Sequence, residues 1–377
     1  EDKTRASFDQ LGFVYTYKVG NTTSLRYVNF GFNYHKSKNF NRLFSAGGQL
    51  DGFSQSWQLA QEMNASGVNS ASSFDAILDA ENPYRQYWNQ YQVLGMLGDT
   101  TGVVDFYDGK VLGWNGYSNN YYSQEKGGIN EYDFNIAFNI EDRFYLGATL
   151  GIYDVNYDRY SSYTEELDDD YGQENGGYTL ENYYSLKGTG VDLKLGAILR
   201  PVEDSPFRLG LAIHTPTWYE LTESTNATLS SDILAYDSPY SQTLSDYLDY
   251  SYLTYDYRLI TPWKFNVSAG TTFGGLVALG AEYEYSDYSS STLQDIDGYE
   301  LGDQPSVEAF LKGVHTFRVG MEARLAPQFS IRAGYNYTST VFADDAYSAL
   351  SSYRTSTDFN NIKDKNTFTM GLGYRGN

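Results

Sequence analysis

The residues of this chain that could do chemistry are few and dispersed. Its three histidines, His35, His214 and His315, lie in separate segments, and none has the close spacing of a metal-ligand pair. The simplest role for them is polar contact within a wall or at an interface, so no metal site is expected. Cysteine is absent, which excludes disulfides and Cys-based zinc sites. No G-x-S-x-G elbow or Walker A sequence appears, and the serines concentrate in polar segments instead of beside a base. The expectation is a non-enzyme without a cofactor. The run Glu165-Glu166-Leu167-Asp168-Asp169-Asp170, with Glu174 nearby, offers calcium-type oxygen donors but not the ligand spacing of an EF-hand loop. It reads as a solvated loop, as do Asp295/Asp297 and Asp344-Asp345.

A second set of charges is more informative. Glu282 and Glu284, then Arg318, Glu322 and Arg324, then Arg332 occupy alternate positions in three successive apolar segments. Two roles fit them. They can form a ladder of ion pairs that holds a wall together. Alternatively, Arg318 or Arg332 meets the anionic head group of a ligand, with Glu282, Glu284 and Glu322 beside it.

The elements that position these groups show a period of two, the signature of strands with one face in lipid and the other toward a lumen. Tyr132, Phe134, Ile136, Phe138 and Ile140 share one face, opposite Glu131, Asp133, Asn135, Ala137 and Asn139. After the turn Glu141-Asp142, Phe144, Leu146, Ala148, Leu150 and Ile152 alternate with Arg143, Tyr145, Gly147, Thr149 and Gly151. The same pattern recurs near residues 28–35, 191–200, 207–214, 265–285, 317–337 and 368–374. Placing an Arg or Lys toward lipid at mid-bilayer costs about 2–4 kcal/mol, so the charges are assigned to the lumen.

Short turns at 141–142, 201–206, 274–275 and 326–328 interleave with long polar segments at 161–180, 222–250, 287–307 and 340–364. Short connections at one end and long ones at the other are the layout of an outer-membrane barrel. With strands near 6–18 and 23–36 the count is about eleven. Such barrels have even strand numbers, so further strands are expected after Asn377, for a total near fourteen. The fold expected for 1–377 is therefore one transmembrane antiparallel β-barrel domain. A helical insertion is expected at about 51–80, where Phe53, Trp57, Ala60 and Asn64 follow helical spacing and Ser72 or Ser73 caps a second short helix holding Phe74, Ile77 and Leu78. It would form a lid or plug.

Composition agrees. Aromatic residues make up 17% of the 377 residues, 38 of them Tyr, and such rings suit a lipid–water interface. Glycine is abundant (36) and proline scarce (8), as many strands joined by turns require. The net charge of −22 argues against a nucleic-acid partner, which needs clustered Lys and Arg. Mean hydropathy is −0.50, and no apolar run approaches the roughly 18 residues of a transmembrane helix.

Several segments together resemble the FadL/TodX family of outer-membrane transport proteins. They are His214-Thr215-Pro216-Thr217-Trp218-Tyr219, Thr261-Pro262-Trp263-Lys264 leading into Ala281-Glu282-Tyr283-Glu284-Tyr285, and His315–Glu322 followed by Ile331–Tyr337. Gly371-Leu372-Gly373-Tyr374-Arg375 fits the strand after them. The resemblance covers about 127–376, and 1–50 more loosely. It implies a fourteen-stranded barrel in the Gram-negative outer membrane that admits hydrophobic small molecules such as fatty acids or aromatic hydrocarbons by passive diffusion. It also implies an N-terminal hatch with an Asn-Pro-Ala type motif. The only Asn-Pro here is Asn82-Pro83, followed by Tyr84, so the hatch is expected upstream of Glu1 or the lumen closes differently.

The function expected is a channel for hydrophobic or amphipathic small molecules, with outer-membrane lipid and that cargo as partners. Two alternatives stand: a structural or accessory barrel subunit that engages other envelope proteins, and a general porin constricted by 53–80.

Overall fold

The computed structural model describes residues 8–65, 101–168, 172–233, 240–243, 254–302, 304–344, 346 and 363–375. In chain order the elements are β1 (Gln10–Lys18), β2 (Leu25–Asn39), β3 (Arg42–Gly52), α1 (Gln55–Ala65), β4 (Asp105–Tyr107), β5 (Lys110–Leu112) and β6 (Asn115–Ile140). Next come β7 (Phe144–Asp168), β8 (Glu174–Leu199), β9 (Arg208–His214), β10 (Trp218–Ser231), β11 (Tyr240–Thr243) and β12 (Thr254–Ile260). The last are β13 (Lys264–Phe273), β14 (Val277–Asp287), β15 (Thr292–Asp295), α2 (Gln304–Phe310), β16 (Gly313–Ala326), β17 (Phe329–Thr338) and β18 (Lys365–Tyr374).

One antiparallel sheet contains all of the strands except the β4–β5 hairpin, and its main path is β1-β2-β6-β7-β8-β9-β13-β14-β16-β17-β18. That path has the eleven members read from the alternation. Among the described residues β1 pairs only with β2, and β18 only with β17. The tight turns fall where expected. Glu141 and Asp142 both have positive φ (55° and 57°), the geometry of a type I′ hairpin, whose twist matches the flanking strands. Gly274 and Gly275 (φ 54° and 66°) do the same between β13 and β14. Prolines punctuate two long edges. Pro216 separates β9 from β10 and Pro262 separates β12 from β13, because a residue without N–H cannot donate to a ladder.

The two faces of the wall follow the parity of the sequence. Along β7, Phe144, Leu146, Leu150 and Ile152 are exposed while Gly151, Tyr153 and Val155 are buried. Leu193, Leu195, Leu211, Phe265, Val267, Leu279, Phe317, Val319 and Met321 continue the exposed apolar face around the sheet. Such a surface suits lipid and not water. Aromatic rings rim its upper edge. Tyr34 packs on Tyr132, His315 lies between Tyr283 and Tyr285, and Trp218 and Trp263 are exposed. His315 is thus an outward girdle residue, its Nδ1 2.8 Å from the Tyr283 hydroxyl. The described residues contain no helix long and apolar enough to cross a membrane.

Above the belt the structure departs from the sequence expectation. The described residues of 161–180 are almost all strand: β7 continues to Asp168 and β8 resumes at Glu174, with Asp168 and Glu174 the last paired residues. Likewise β10 reaches Ser231, and β2, β3 and β6 occupy the two ends of 36–126. The segment 287–307 holds β15 and the start of α2, while most of 340–364 lies outside the described residues. The outward face changes from Leu150 and Ile152 to Asp154, Asn156 and Asp158, marking where lipid gives way to water. Residues 153–168 then add about 50 Å of strand at roughly 3.3 Å per residue. Because the outer face of this extension is polar and the inner one mixes Tyr, Arg, Ser and Glu with Val and Leu, the hydrophobic period fades while the ladder continues.

The extension also holds the main apolar core. Ser56, Leu59 and Ala60 of α1 are buried, with Val103, Val104 and Val111 from the following segment and Leu167, Leu180 and Leu229 from the wall. Asn64 fixes the contact, donating to the Val111 carbonyl (2.8 Å) and accepting from the Val111 N–H (2.9 Å). The helix expected from 51 onward is therefore present as α1, but its buried face is Ser56/Leu59/Ala60. Phe53, expected on that face, precedes the helix and is exposed. The expected second helix with Ser72, Ser73, Phe74, Ile77 and Leu78, and Asn82-Pro83, lie outside the described residues.

Candidate functional site

Five of the six charges singled out from the sequence meet, as two separate ion-pair groups on the face opposite the apolar one, while Arg324 lies opposite Ser330. Arg318 Nη1 bonds Glu282 and lies 3.2 Å from Glu284 Oε2. Arg332 Nε donates to Glu322 Oε2 at 2.7 Å. Sheet register explains the pairing, since Glu282 is directly opposite Arg318 and Glu322 opposite Arg332. All five charges are spent on neighbours within the wall, in the manner of a ladder.

A denser constellation lies on the same face of β2, β6, β7 and β8, assembled by the pairing of strands distant in the sequence. Glu131, Asp133 and Asp192 are only 6%, 8% and 4% exposed. Lys194 bonds Glu131 and places its Nζ 2.8 Å from Asp133 Oδ1. His35 Nε2 is 3.1 Å from Glu131 Oε2. The Tyr153 hydroxyl lies 2.8 Å from Asp192 Oδ2 and 3.1 Å from Glu131 Oε1, and Thr217 donates to Asp192 Oδ2 at 3.3 Å. Register builds this group: His35 faces Glu131, Glu131 faces Tyr153, and Gly151 faces both Asp133 and Asp192. Gly151 is required, because a Cβ there would overlap Asp192 Oδ1. Gly190 likewise leaves room for the ring of Tyr219, which packs 5.7 Å from that of Tyr153. The alternation did place each of Glu131, Asp133, Asp192, Lys194 and His35 opposite the apolar face. Only the adjacency of β2 and β6, with residues 40–114 intervening in the chain, brings them together.

Above this cluster the inner surface becomes aromatic and aliphatic. Val155 and Leu221 are buried. Phe40 meets Tyr157 edge-on at 5.2 Å, and Tyr157 packs 5.8 Å from Tyr184. Tyr257, opposite Leu221 in the ladder, stacks on Tyr255. These phenols stay neutral: burial pushes Tyr257 up to about 12 and raises Tyr157 and Tyr184 as well. The lining thus offers ring faces and hydroxyls, with Arg159 over the Tyr184 ring (5.4 Å) and Glu223 accepting from the Tyr184 hydroxyl (3.1 Å).

At the top, Glu165 anchors α1 to the wall. It is fully buried, and its Oε2 accepts from the Gln55 N–H (3.1 Å), Tyr163 (2.9 Å) and Tyr178 (2.7 Å). Burial raises its carboxyl above the ordinary range. The acidic run expected to be a solvated loop is thus strand, with Glu165 and Leu167 turned inward and Glu166 exposed; residues 169 and 170 are outside the described set.

The likenesses of this chain to known proteins are structural. The Pseudomonas putida toluene transporter TodX shares 11% identity over 98% of this chain and 78% of its own, at a TM-score of 0.39. A Pseudomonas aeruginosa FadL homologue shares 13% over 97% and 66%, at 0.45. The CymD monoaromatic hydrocarbon channel shares 12% over 70% and 72%, at 0.36. Two of these carry the names of the family that the sequence segments resemble. No family model and no curated protein matches the sequence.

Proposed function

We propose that this chain forms the wall and external mouth of an outer-membrane channel for small amphipathic molecules with an apolar or aromatic body. The observation that carries this reading is the aromatic and aliphatic lining of Val155, Tyr157, Tyr184, Leu221 and Tyr257 between the α1 insertion and the charged cluster, in which Arg159 and Glu223 are held against Tyr184. Ring faces and aliphatic groups there offer dispersion and hydrophobic contact to a cargo's body, and the hydroxyls satisfy a single polar end. The exposed apolar belt supplies the lipid-facing surface that the localisation requires. Arg318 and Arg332, with Glu282, Glu284 and Glu322, act in this reading as wall braces, because each arginine already has its carboxylate.

The test is uptake into proteoliposomes or a barrel-deleted host. A long-chain fatty acid and a monoaromatic hydrocarbon are compared with a hydrophilic sugar of similar size. Entry of the apolar probes, reduced by Tyr157→Asp and Tyr184→Asp, supports the proposal. Sugar entry that simply follows solute size assigns a general porin. Passage of neither, with an envelope protein copurifying in fixed ratio, assigns the accessory-subunit role.

A further inference from the structure

We propose that His35, Glu131 and Asp133 form a binding site for a divalent transition-metal ion of the zinc or cobalt class in the inner wall, with Lys194 occupying it in the metal-free protein. This inference does not depend on what the channel carries.

Each of the three residues brings one ligand atom to a point where all three lie within 4.8 Å of one another. Zinc bonds imidazole nitrogen and carboxylate oxygen at about 2.0–2.2 Å, so ligand atoms around a tetrahedral ion sit about 3.4 Å apart, and binding closes the widest pair by up to about 1.4 Å. One imidazole with two carboxylates is a common donor set for such ions. Outer-shell support is already in place, since the Tyr153 hydroxyl lies 3.1 Å from Glu131 Oε1. On the other side of the ring, His35 Nδ1 is 3.1 Å from the Asn33 side-chain amide. Rotating that amide by half a turn presents its oxygen, which accepts Nδ1–H and leaves Nε2 free for the metal.

Asp192 supplies the independent observation. It is 4% exposed, and its Oδ1 has no hydrogen-bond partner. The nearest cation to that oxygen is Lys194 Nζ, at 4.0 Å. Three buried carboxylates therefore share a single lysine and a histidine, and a buried carboxylate oxygen left unpaired is costly. An arriving metal ion corrects both defects. It replaces Lys194 on Glu131 and Asp133, and the ammonium swings the short distance onto Asp192 Oδ1. In this account Asp192 is a positioning residue that receives the displaced lysine, and His35, Glu131 and Asp133 are the ligands.

The experiment is calorimetric titration of the purified, chelator-stripped protein in detergent with Zn(II), and with Co(II) followed by its visible absorption. Barrel integrity is checked by heat-modifiable gel migration. The expected result is one ion per chain, with affinity weakened at least about tenfold by His35→Ala, a variant that keeps the Lys194 pairs. Lys194→Met removes the competitor and tightens binding by a similar factor. Asp192→Asn weakens binding when Lys194 is present and has little effect in the Lys194→Met background. A purely structural cluster predicts none of these shifts. Absence of saturable binding in both the wild type and folded Lys194→Met overturns the proposal, as does binding that His35→Ala leaves unchanged.

Discussion

Replacing Glu165 by alanine isolates the attachment of α1 to the wall. The substitution removes the acceptor of three donors, the Gln55 N–H and the Tyr163 and Tyr178 hydroxyls. The Tyr178 hydroxyl keeps a second acceptor, Gln55 Oε1 at 3.2 Å, and a donor left buried and unpaired costs about 1–3 kcal/mol. Two effects reduce the total: water enters the vacated space, and a carboxylate whose own burial is unfavourable is lost. A net loss of about 2–3 kcal/mol is expected, or a roughly 30- to 150-fold rise in the detached population at 1.4 kcal/mol per factor of ten. The assay is hydrogen–deuterium exchange of Gln55–Ala65, with the belt strands as internal control. The pH dependence follows from the raised carboxyl. Its folded value exceeds its unfolded one, so its contribution is fully present below the ordinary carboxylate range and is lost as pH rises through the raised value. Protection of α1, corrected for intrinsic exchange, should fall over that interval in the wild type and stay flat in Glu165→Gln. Unchanged protection in Glu165→Ala, or faster exchange spread equally over the belt strands, would refute the reasoning.

Three further outcomes are expected. Leu150→Arg, on the exposed apolar face, should cost about 2–4 kcal/mol in reversible folding into bilayers, while Thr149→Arg on the other face should cost much less. Arg318→Ala leaves Glu282 and Glu284 without their shared cation; with the arginine 43% exposed, solvent screening limits the loss to about 1 kcal/mol, read as a small shift in the heat-modification midpoint. Asp142→Gly should be close to neutral in the same measurement, because the relief of a left-handed backbone (φ 57°) by glycine offsets the loss of the exposed Asn139 Nδ2 bond to Asp142 Oδ1 (2.7 Å).

The belt was legible in the sequence because each strand there separates lipid from lumen, and that contrast writes a period of two. Phe144 to Ile152 against Tyr145 to Gly151 is the clearest case, and the turn at Glu141-Asp142 fixes its register. The extension was not legible, because Asp154, Asn156 and Asp158 face water and many of their inward neighbours are Tyr, Ser or Glu. Without an apolar contrast the ladder looks like a loop. Glu165 was misjudged for a related reason: its burial is created by α1, which packs over it from more than a hundred residues earlier in the chain. The Arg332–Glu322 pair was foreseeable, since a short turn joins β16 to β17, whereas the Arg318 pairs cross from β14 to β16 over residues 288–312 and were suggested by strand parity alone. The His35–Glu131–Asp133–Lys194 group joins strands whose adjacency no local pattern announces.

The height of the extension has a consequence for where a solute's journey begins. With strands tilted by roughly 40°, residues 153–168 raise the rim about 40 Å above the hydrocarbon boundary. On the outer-membrane reading, that distance clears the charged, sugar-coated outer leaflet, the layer that most obstructs greasy compounds. On the proposed channel reading, a molecule that enters at the rim does so beyond that layer and then meets the tyrosine rings of the inner wall. The palisade of long hairpins is then less an ornament of the barrel than a chimney, whose length sets which barrier the cargo never has to cross.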